Sequence, residues 1–161
     1  MNRLKYVFGA LAIVMMAFTA CKKDGDKDTS KQAEKDDQAI QAYIKTYNDT
    51  TTSAKINATK DENGIYYEIL KAGTGAYPNV NSTISINYTG KLLNGTQFDK
   101  GNTTYPLIGF IKGWQLGIPR INSGGRILLL IPSGLAYGSS GKGTIPSNAP
   151  LIFIVDLLNF K

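Results

Sequence analysis

The chain has 161 residues, of which 42% are hydrophobic and 19% charged, with a net charge of +6, no histidine and one cysteine. This composition is typical of one globular domain with an appendage. The absence of histidine and of a second cysteine excludes Ser-His-Asp and Cys-His nucleophile systems, histidine-ligated metals, zinc fingers and intrachain disulfides.

The first twenty residues have the pattern of a secretory signal peptide. Arg3 and Lys5 precede an apolar run over residues 7–18, which is shorter than the ~20 residues of a membrane-spanning helix. The run leads into Phe-Thr-Ala-Cys, which resembles a bacterial lipobox with cleavage before Cys21 and acylation of its thiol. We predict a signal peptide over residues 1–20, lipidation of Cys21 and a membrane-anchored protein of the cell envelope. Plain secretion is the alternative.

Residues 21–35 are almost entirely charged or small. Such a segment buries too little apolar surface to order itself, so we predict an acylated, disordered tether. The Lys-Asp-rich residues directly after the cysteine resemble the surface-export signals of Bacteroidetes lipoproteins. A linker with no export role is the alternative.

A helical pattern begins at Asp36. Apolar residues recur at i, i+3, i+4 and i+7, namely Ile40, Tyr43, Ile44 and Tyr47, which predicts an amphipathic helix. We expect the helix to end at Asn48, with the helix and a linker filling residues 36–62. A short helix is marginal alone, so its stripe should pack on the main domain. Packing on a second copy or on a dedicated partner is the alternative.

Residues 63–161 read as a domain built mainly of strands. Alternating or apolar runs occur in "GIYYEILKAG", "STISINYTGKLL", "GRILLLIP" and "LIFIVDLLNF", and "NGT" predicts a hairpin that leads into "QFD". We predict an α+β fold in which an antiparallel sheet packs on one short helix near residues 112–116. Trp114 should then lie at the base of a pocket, and the long loop at residues 133–150 should be functional.

Four motifs in this region resemble those of FKBP-type peptidyl-prolyl isomerases in order and spacing: "INYTGKLLNGTQFD", "GFIKGWQLGI", "GRILLLIPSGLAYG" and "TIPSNAPLIFIVDLL". The resemblance implies an FKBP-like half-barrel of antiparallel strands wrapped on the short helix, with a substrate proline over the Trp114 indole. It also implies proline-containing unfolded or nascent proteins as substrates and macrolides such as tacrolimus as inhibitors. The preceding helix and tether are similar to those of envelope-anchored bacterial members.

The resemblance assigns catalytic roles to Tyr88, Asp99 and Tyr137, and substrate binding to Phe98, Tyr105, Phe110, Ile111, Trp114, Ile145 and Phe153. Ile111 is assigned for its backbone N–H. The alternative for the aromatic residues and Ile145 is a place in the ordinary core. Family members usually supply a tyrosine and a downstream arginine to the aspartate, but "FDKGNTTYPL" has Lys100 and no arginine. A surface turn is therefore the alternative place for Asp99.

The implied chemistry needs no nucleophile, because rotation about an X–Pro bond is accelerated by an apolar pocket and one or two hydrogen bonds. We therefore predict an isomerase without cofactor or metal. The alternative is a binding module or holdase chaperone with the same fold and little turnover. Lys and Arg form no clustered stripe, so we predict no nucleic-acid partner.

Overall fold

The computed structural model describes residues 25–161, with the backbone alone for residues 25–28, so the predicted signal peptide and Cys21 lie outside it. The helices and strands of the described part are α1 (Gly25–Thr50), β1 (Thr59–Lys60), β2 (Tyr66–Lys71), β3 (Thr83–Leu92), β4 (Gln97–Pro106), α2 (Lys112–Gly117), β5 (Arg126–Ile131) and β6 (Leu151–Phe160). Short 3₁₀ helices include Leu107–Gly109 and Ser133–Leu135. The predicted α+β class is confirmed.

The described strands form one antiparallel sheet in the order β1-β2-β5-β6-β3-β4. Its inner face packs on α2 and encloses the main core, as predicted. The approach of α2 is close at Gly113, where an added Cβ would lie 2.4 Å from Cγ2 of Ile131. A glycine at this position therefore lets the helix lie directly on β5.

Strand β3 follows the predicted alternation. Ile84 and Ile86 are fully buried on the inner face, while Asn87 is exposed on the other. The predicted hairpin is present, but β4 runs on to Pro106, well beyond the "QFD" segment. Its threonine and asparagine residues pair with β3 along the whole length of that strand, which explains the extension.

The outer face of the sheet carries a second core beneath α1. Ile40 is fully buried there against outward-facing residues of three strands: Tyr66, Leu128, Leu130 and Ile152. The remaining residues of the predicted helical stripe are partly buried in the same cluster. The stripe therefore packs on the chain's own domain, as predicted.

Two boundaries differ from the prediction. The helix begins at Gly25, so residues 25–35 of the predicted disordered tether are helical. Lys, Glu, Gln and Ala in this stretch are good helix formers, and Gln32 donates to Asp36 one turn later at 2.7 Å. The sheet also begins at β1, before the predicted domain start at residue 63. Neither helix of the described part combines the length and apolarity needed to cross a membrane.

Candidate active site

A cavity of about 480 Å³ lies between the inner face of the sheet, α2 and the loop after β5. It is lined by Tyr88, Phe98, Asp99, Tyr105, Gly109, Phe110, Ile111, Trp114, Tyr137, Lys142 and Phe153. Every predicted pocket residue except Ile145 is in this set. The fold thus brings together side chains from six separate segments.

Trp114 forms the floor of the cavity and is 3% exposed. Its ring lies edge-to-face with Tyr88 at 5.3 Å and with Phe153 at 5.1 Å, and tilted against Phe110 at 4.8 Å between centroids. These distances are in the favourable range for aromatic pairs. The apolar walls around the indole therefore come from β3, β6 and the residues before α2. The buried indole N–H finds no hydrogen-bond partner among the described residues.

Phe98 and Phe153 form the adjoining wall, edge-to-face at 5.6 Å. Both rings contact Gly90 of β3, where an added Cβ would lie 2.7 Å from the Phe98 ring and 2.8 Å from that of Phe153. Sequence reasoning missed Gly90, although a glycine inside a strand is a signal of close approach.

The Tyr88 hydroxyl donates to Oδ2 of Asp99 at 2.8 Å. Burial, followed by this hydrogen bond and the negative charge of Asp99, raises the pKa of Tyr88 to about 12. Asp99 is exposed at the rim, and within residues 25–161 it forms no ion pair. Lys100 does not replace the missing arginine, because strand alternation places it on the outer face beside Arg126 and Asp156.

Tyr137 lies on the loop after β5 and faces the cavity. Burial raises the pKa of the Tyr137 hydroxyl, and the charge of Asp99 adds to the shift. Lys142 lies 5.3 Å from the centroid of its ring. Among the described residues the hydroxyl has no hydrogen-bond partner, so it is a protonated donor available to a ligand at neutral pH.

Ile111 precedes α2 and supplies a second donor. Its carbonyl accepts from Trp114 N–H at 3.0 Å, but its own N–H forms no hydrogen bond within the described part of the chain. Gln115 holds the preceding segment by donating to the carbonyl oxygens of Ile108 and Phe110. The backbone at Ile111 is therefore fixed while its N–H remains free at the cavity wall.

Tyr105 and Phe110 meet edge-to-face at 5.7 Å on the opposite rim. Tyr105 is 52% exposed, so its ring borders the entrance rather than the floor. Gly109 allows this packing because an added Cβ would lie 2.3 Å from the Tyr105 ring. The sequence analysis assigned no role to Gly109 or Lys142, although Gly109 is the first residue of the motif "GFIKGWQLGI".

Ile145 is the one predicted residue that does not line the cavity. It exchanges backbone hydrogen bonds with Lys142 at 2.9 and 3.0 Å, and this tight turn directs its side chain into the core, where it is 8% exposed. Ile145 therefore lies in the core, which was the alternative for this residue. A contact between Ile145 and a substrate remains a prediction.

The site combines an aromatic cavity, the Ile111 N–H and the Tyr137 hydroxyl as donors at its wall, and a rim carboxylate. The described residues contain no group of three side chains suited to hold a metal ion. The arrangement can bind an apolar ring on Trp114 and hold a carbonyl oxygen at the Ile111 N–H or the Tyr137 hydroxyl.

Comparison with known proteins agrees with this geometry. The family model of the FKBP-type peptidyl-prolyl cis-trans isomerases matches residues 75–158. The FKBP-type peptidyl-prolyl cis-trans isomerase FkpA of Aeromonas hydrophila is 35% identical over 142 residues, which cover 85% of this chain and 50% of that protein. The peptidyl-prolyl cis-trans isomerase Mip of Coxiella burnetii is 41% identical over 105 residues, which cover 62% of this chain and 46% of that protein.

A solved structure shares the fold. The crystal structure of FkpA from Escherichia coli superposes with a TM-score of 0.65 at 34% identity, covering 84% of this chain and 66% of that one. The chain spans about half the length of the curated relatives it matches. The region that the family model matches contains β3, β4, α2, β5, most of β6 and all the residues that line the cavity, and it covers more than half of the chain. The protein therefore belongs to the family of FKBP-type peptidyl-prolyl cis-trans isomerases.

Proposed function

We propose that this protein is a peptidyl-prolyl cis-trans isomerase that accelerates X–Pro isomerisation in unfolded or nascent proteins outside the cytoplasm. The observation that carries the proposal is the pair of free donors, Ile111 N–H and Tyr137 O–H, on an aromatic cavity floored by Trp114. Membership of the family supports the reaction class. The signal-like sequence before Cys21 supports the location.

The reaction requires little of the protein beyond selective binding. Rotation about the X–Pro bond has a barrier of ~18–20 kcal/mol, because amide resonance is lost in the twisted state. The twisted amide has less charge separation than the planar one. Transfer from water into an apolar cavity therefore disfavours the transition state less than the ground state, and this difference is the source of catalysis. A thousandfold acceleration requires about 4 kcal/mol of such differential binding.

Different residues of the cavity contribute to this differential binding. The proline ring lies on the Trp114 indole, against the wall formed by Phe98 and Phe153, and is desolvated there. The Ile111 N–H binds a carbonyl oxygen of the substrate backbone, and the Tyr137 hydroxyl holds a second carbonyl while the remainder of the amide rotates. Asp99 orders the Tyr88 ring through the 2.8 Å hydrogen bond. Macrolides such as tacrolimus, which present similar rings and carbonyls, are expected to compete for the cavity.

Turnover of a proline tetrapeptide in a protease-coupled assay tests the proposal, with and without tacrolimus. We expect Tyr137→Phe to lower kcat/KM by about tenfold, as for the loss of one hydrogen bond that forms in the transition state. The matched control is Tyr77→Phe, because Tyr77 is 60% exposed and does not line the cavity. Turnover at the uncatalysed rate for the wild type would contradict the isomerase function.

A holdase is the second candidate. Tyr105 and Ile108 are 52% and 59% exposed beside the cavity entrance and offer apolar surface to unfolded chains. Suppression of client aggregation by the wild type without turnover above background would favour this function. Loss of that suppression in Ile108→Ser, with an unchanged cavity, would place the chain-binding surface at the rim.

A further inference from the structure

A buried carboxylate connects α1 to the loop after β5. Asp36 is 2% exposed. Its Oδ2 accepts hydrogen bonds from the backbone N–H of Ser133 at 2.8 Å and from the Ser133 hydroxyl at 2.6 Å, and its Oδ1 accepts one from Gln32 at 2.7 Å. No cation pairs with it among the described residues. Burial of an unpaired charge is costly. The three hydrogen bonds to Asp36 offset that cost and stabilise the buried carboxylate.

Ser133 begins the segment that carries Tyr137. It starts the 3₁₀ helix Ser133–Leu135, and its carbonyl accepts from the Ala136 N–H at 2.9 Å. Leu135 and Ala136 pack on the main core, and Tyr137 follows directly in the cavity wall. The position of Ser133 therefore influences where the backbone places Tyr137 and its ring in the cavity wall.

The neighbouring carboxylate has a different partner. Asp37 accepts a hydrogen bond from the Tyr66 hydroxyl at 2.8 Å and pairs with Lys60 at 2.5 Å. Both partners belong to β1 and β2 at the edge of the sheet, and neither lines the cavity. Two adjacent aspartates of α1 thus make separate contacts, one with the edge of the sheet and one with the loop of the active site.

We propose that Asp36 is a positioning residue for Tyr137. Through Ser133 it holds the loop in the conformation that presents the Tyr137 hydroxyl to a substrate carbonyl, so that a helix outside the cavity contributes to the reaction inside it. The inference rests on the proposed isomerase function. It adds a residue of the N-terminal helix to the machinery of the site, although Asp36 does not touch substrate.

The test compares Asp36→Asn with Asp37→Asn. Both variants remove one negative charge from the same helix, but the first also turns an NH₂ group or an uncharged oxygen toward the two Ser133 donors. We expect kcat/KM to fall by about threefold to tenfold for Asp36→Asn, consistent with the loss of hydrogen bonds to a charged group, and to stay unchanged for Asp37→Asn. Activity is measured well below the thermal unfolding midpoint of each variant. An equal fall in both variants would overturn the proposal.

A double-mutant cycle tests whether Asp36 affects activity through the Tyr137 hydroxyl. If Asp36 acts through the Tyr137 hydroxyl, Asp36→Asn should cost little further activity in a Tyr137→Phe background, whereas a general loss of stability would cost the same in both backgrounds. Additive effects would overturn the proposal. Ser133→Ala, which removes the hydroxyl and leaves the backbone donor, replaces Asp36→Asn in the cycle if that variant does not fold.

The positioning role of Asp36 can be tested separately from the isomerase function. If the wild type shows no turnover, the isomerase function fails, and binding of a proline peptide followed by Trp114 fluorescence takes the place of kcat/KM. Weaker binding in Asp36→Asn than in Asp37→Asn would then support the positioning role. Equal dissociation constants would overturn it.

Discussion

At the scale of single residues, the cavity depends on glycines, which have no side chain, as much as on aromatic residues. Gly90 makes room for the Phe98 and Phe153 rings, and Gly113 lets α2 reach β5, so that Trp114 sits deep enough to form a floor. The charged and hydroxyl groups have simpler roles. Asp99 orients Tyr88, and the Tyr137 hydroxyl is left free.

Gly113→Ala should destabilise the fold and disturb the cavity. The added methyl group would lie 2.4 Å from Ile131 in a packed core, and overpacking of this kind costs about 1–3 kcal/mol. Chemical denaturation should show this loss together with a changed Trp114 emission. Gly134→Ala is the control, because an added Cβ there meets no atom within 4 Å. Equal unfolding free energies for the two variants would refute the packing explanation.

The raised pKa of Tyr88 predicts a loss of stability at high pH. Its value of about 12 in the fold exceeds the ordinary 10.0, so the folded state holds the phenol proton more tightly than the unfolded state. The resulting stabilisation is fully present below pH 10 and is lost as pH rises toward 12. The difference in unfolding free energy between wild type and Tyr88→Phe should therefore shrink over that interval. A difference in unfolding free energy that does not change with pH would contradict the raised pKa of Tyr88.

At the scale of elements, β5 is buried on both faces because the two helices lie on opposite sides of the sheet. Ile127, Leu129 and Ile131 face α2, while Leu128 and Leu130 face α1. This explains why the strand reads as a continuous apolar run rather than an alternation. It also makes α1 part of the folded domain rather than an appendage.

Ile40→Ala should lower the unfolding free energy by about 2–5 kcal/mol, the usual cost of truncating a buried isoleucine. Ile40 is fully buried between α1 and the outer face of the sheet. Ile69→Ala is the matched control, since Ile69 is 47% exposed and surface substitutions usually change stability by less than about 0.5 kcal/mol. Urea denaturation of both variants measures the difference. Similar losses would mean that α1 is not held by its buried stripe.

At the scale of the whole molecule, the folded domain is preceded by a segment whose predicted role is delivery and anchoring. The apolar run and the lipobox-like ending predict a lipid on Cys21. The helical start at Gly25 shortens the predicted tether between that residue and the fold. Anchoring would hold the cavity near a membrane surface, where newly exported chains are still unfolded.

Cys21→Ala should abolish acylation and move the protein out of the membrane fraction. Metabolic labelling with a fatty-acid analogue, followed by fractionation, measures both effects. Lys22→Ala changes the adjacent residue and keeps the thiol, so it should label like the wild type. Labelling of Cys21→Ala at the wild-type level would refute lipidation at this residue.

Much of this fold follows from local patterns. Alternation in β3 predicted its buried face, and the apolar runs predicted β5 and β6. These strands are readable because strand periodicity is a property of neighbouring residues. The residues of the cavity were instead implied by the resemblance of the motifs around Phe98, Trp114 and Tyr137 to those of the family. The end of β4 and the start of α1 were misplaced, because pairing partners and helix formers extend elements beyond the apolar pattern that marks them.

The tertiary structure decided the features that depend on residues far apart in the chain. Asp36 and Ser133 are 97 positions apart, and nothing near either residue predicts that one caps the other. The inward turn of Ile145, the outward side chain of Lys100 and the free N–H of Ile111 depend in the same way on how the loops and strands pack. The sequence by itself determined which chemistry-bearing groups are available and on which faces of their elements they lie. Packing of the elements determined which of those groups meet, because burial and hydrogen bonding are shared by residues that the chain does not place side by side.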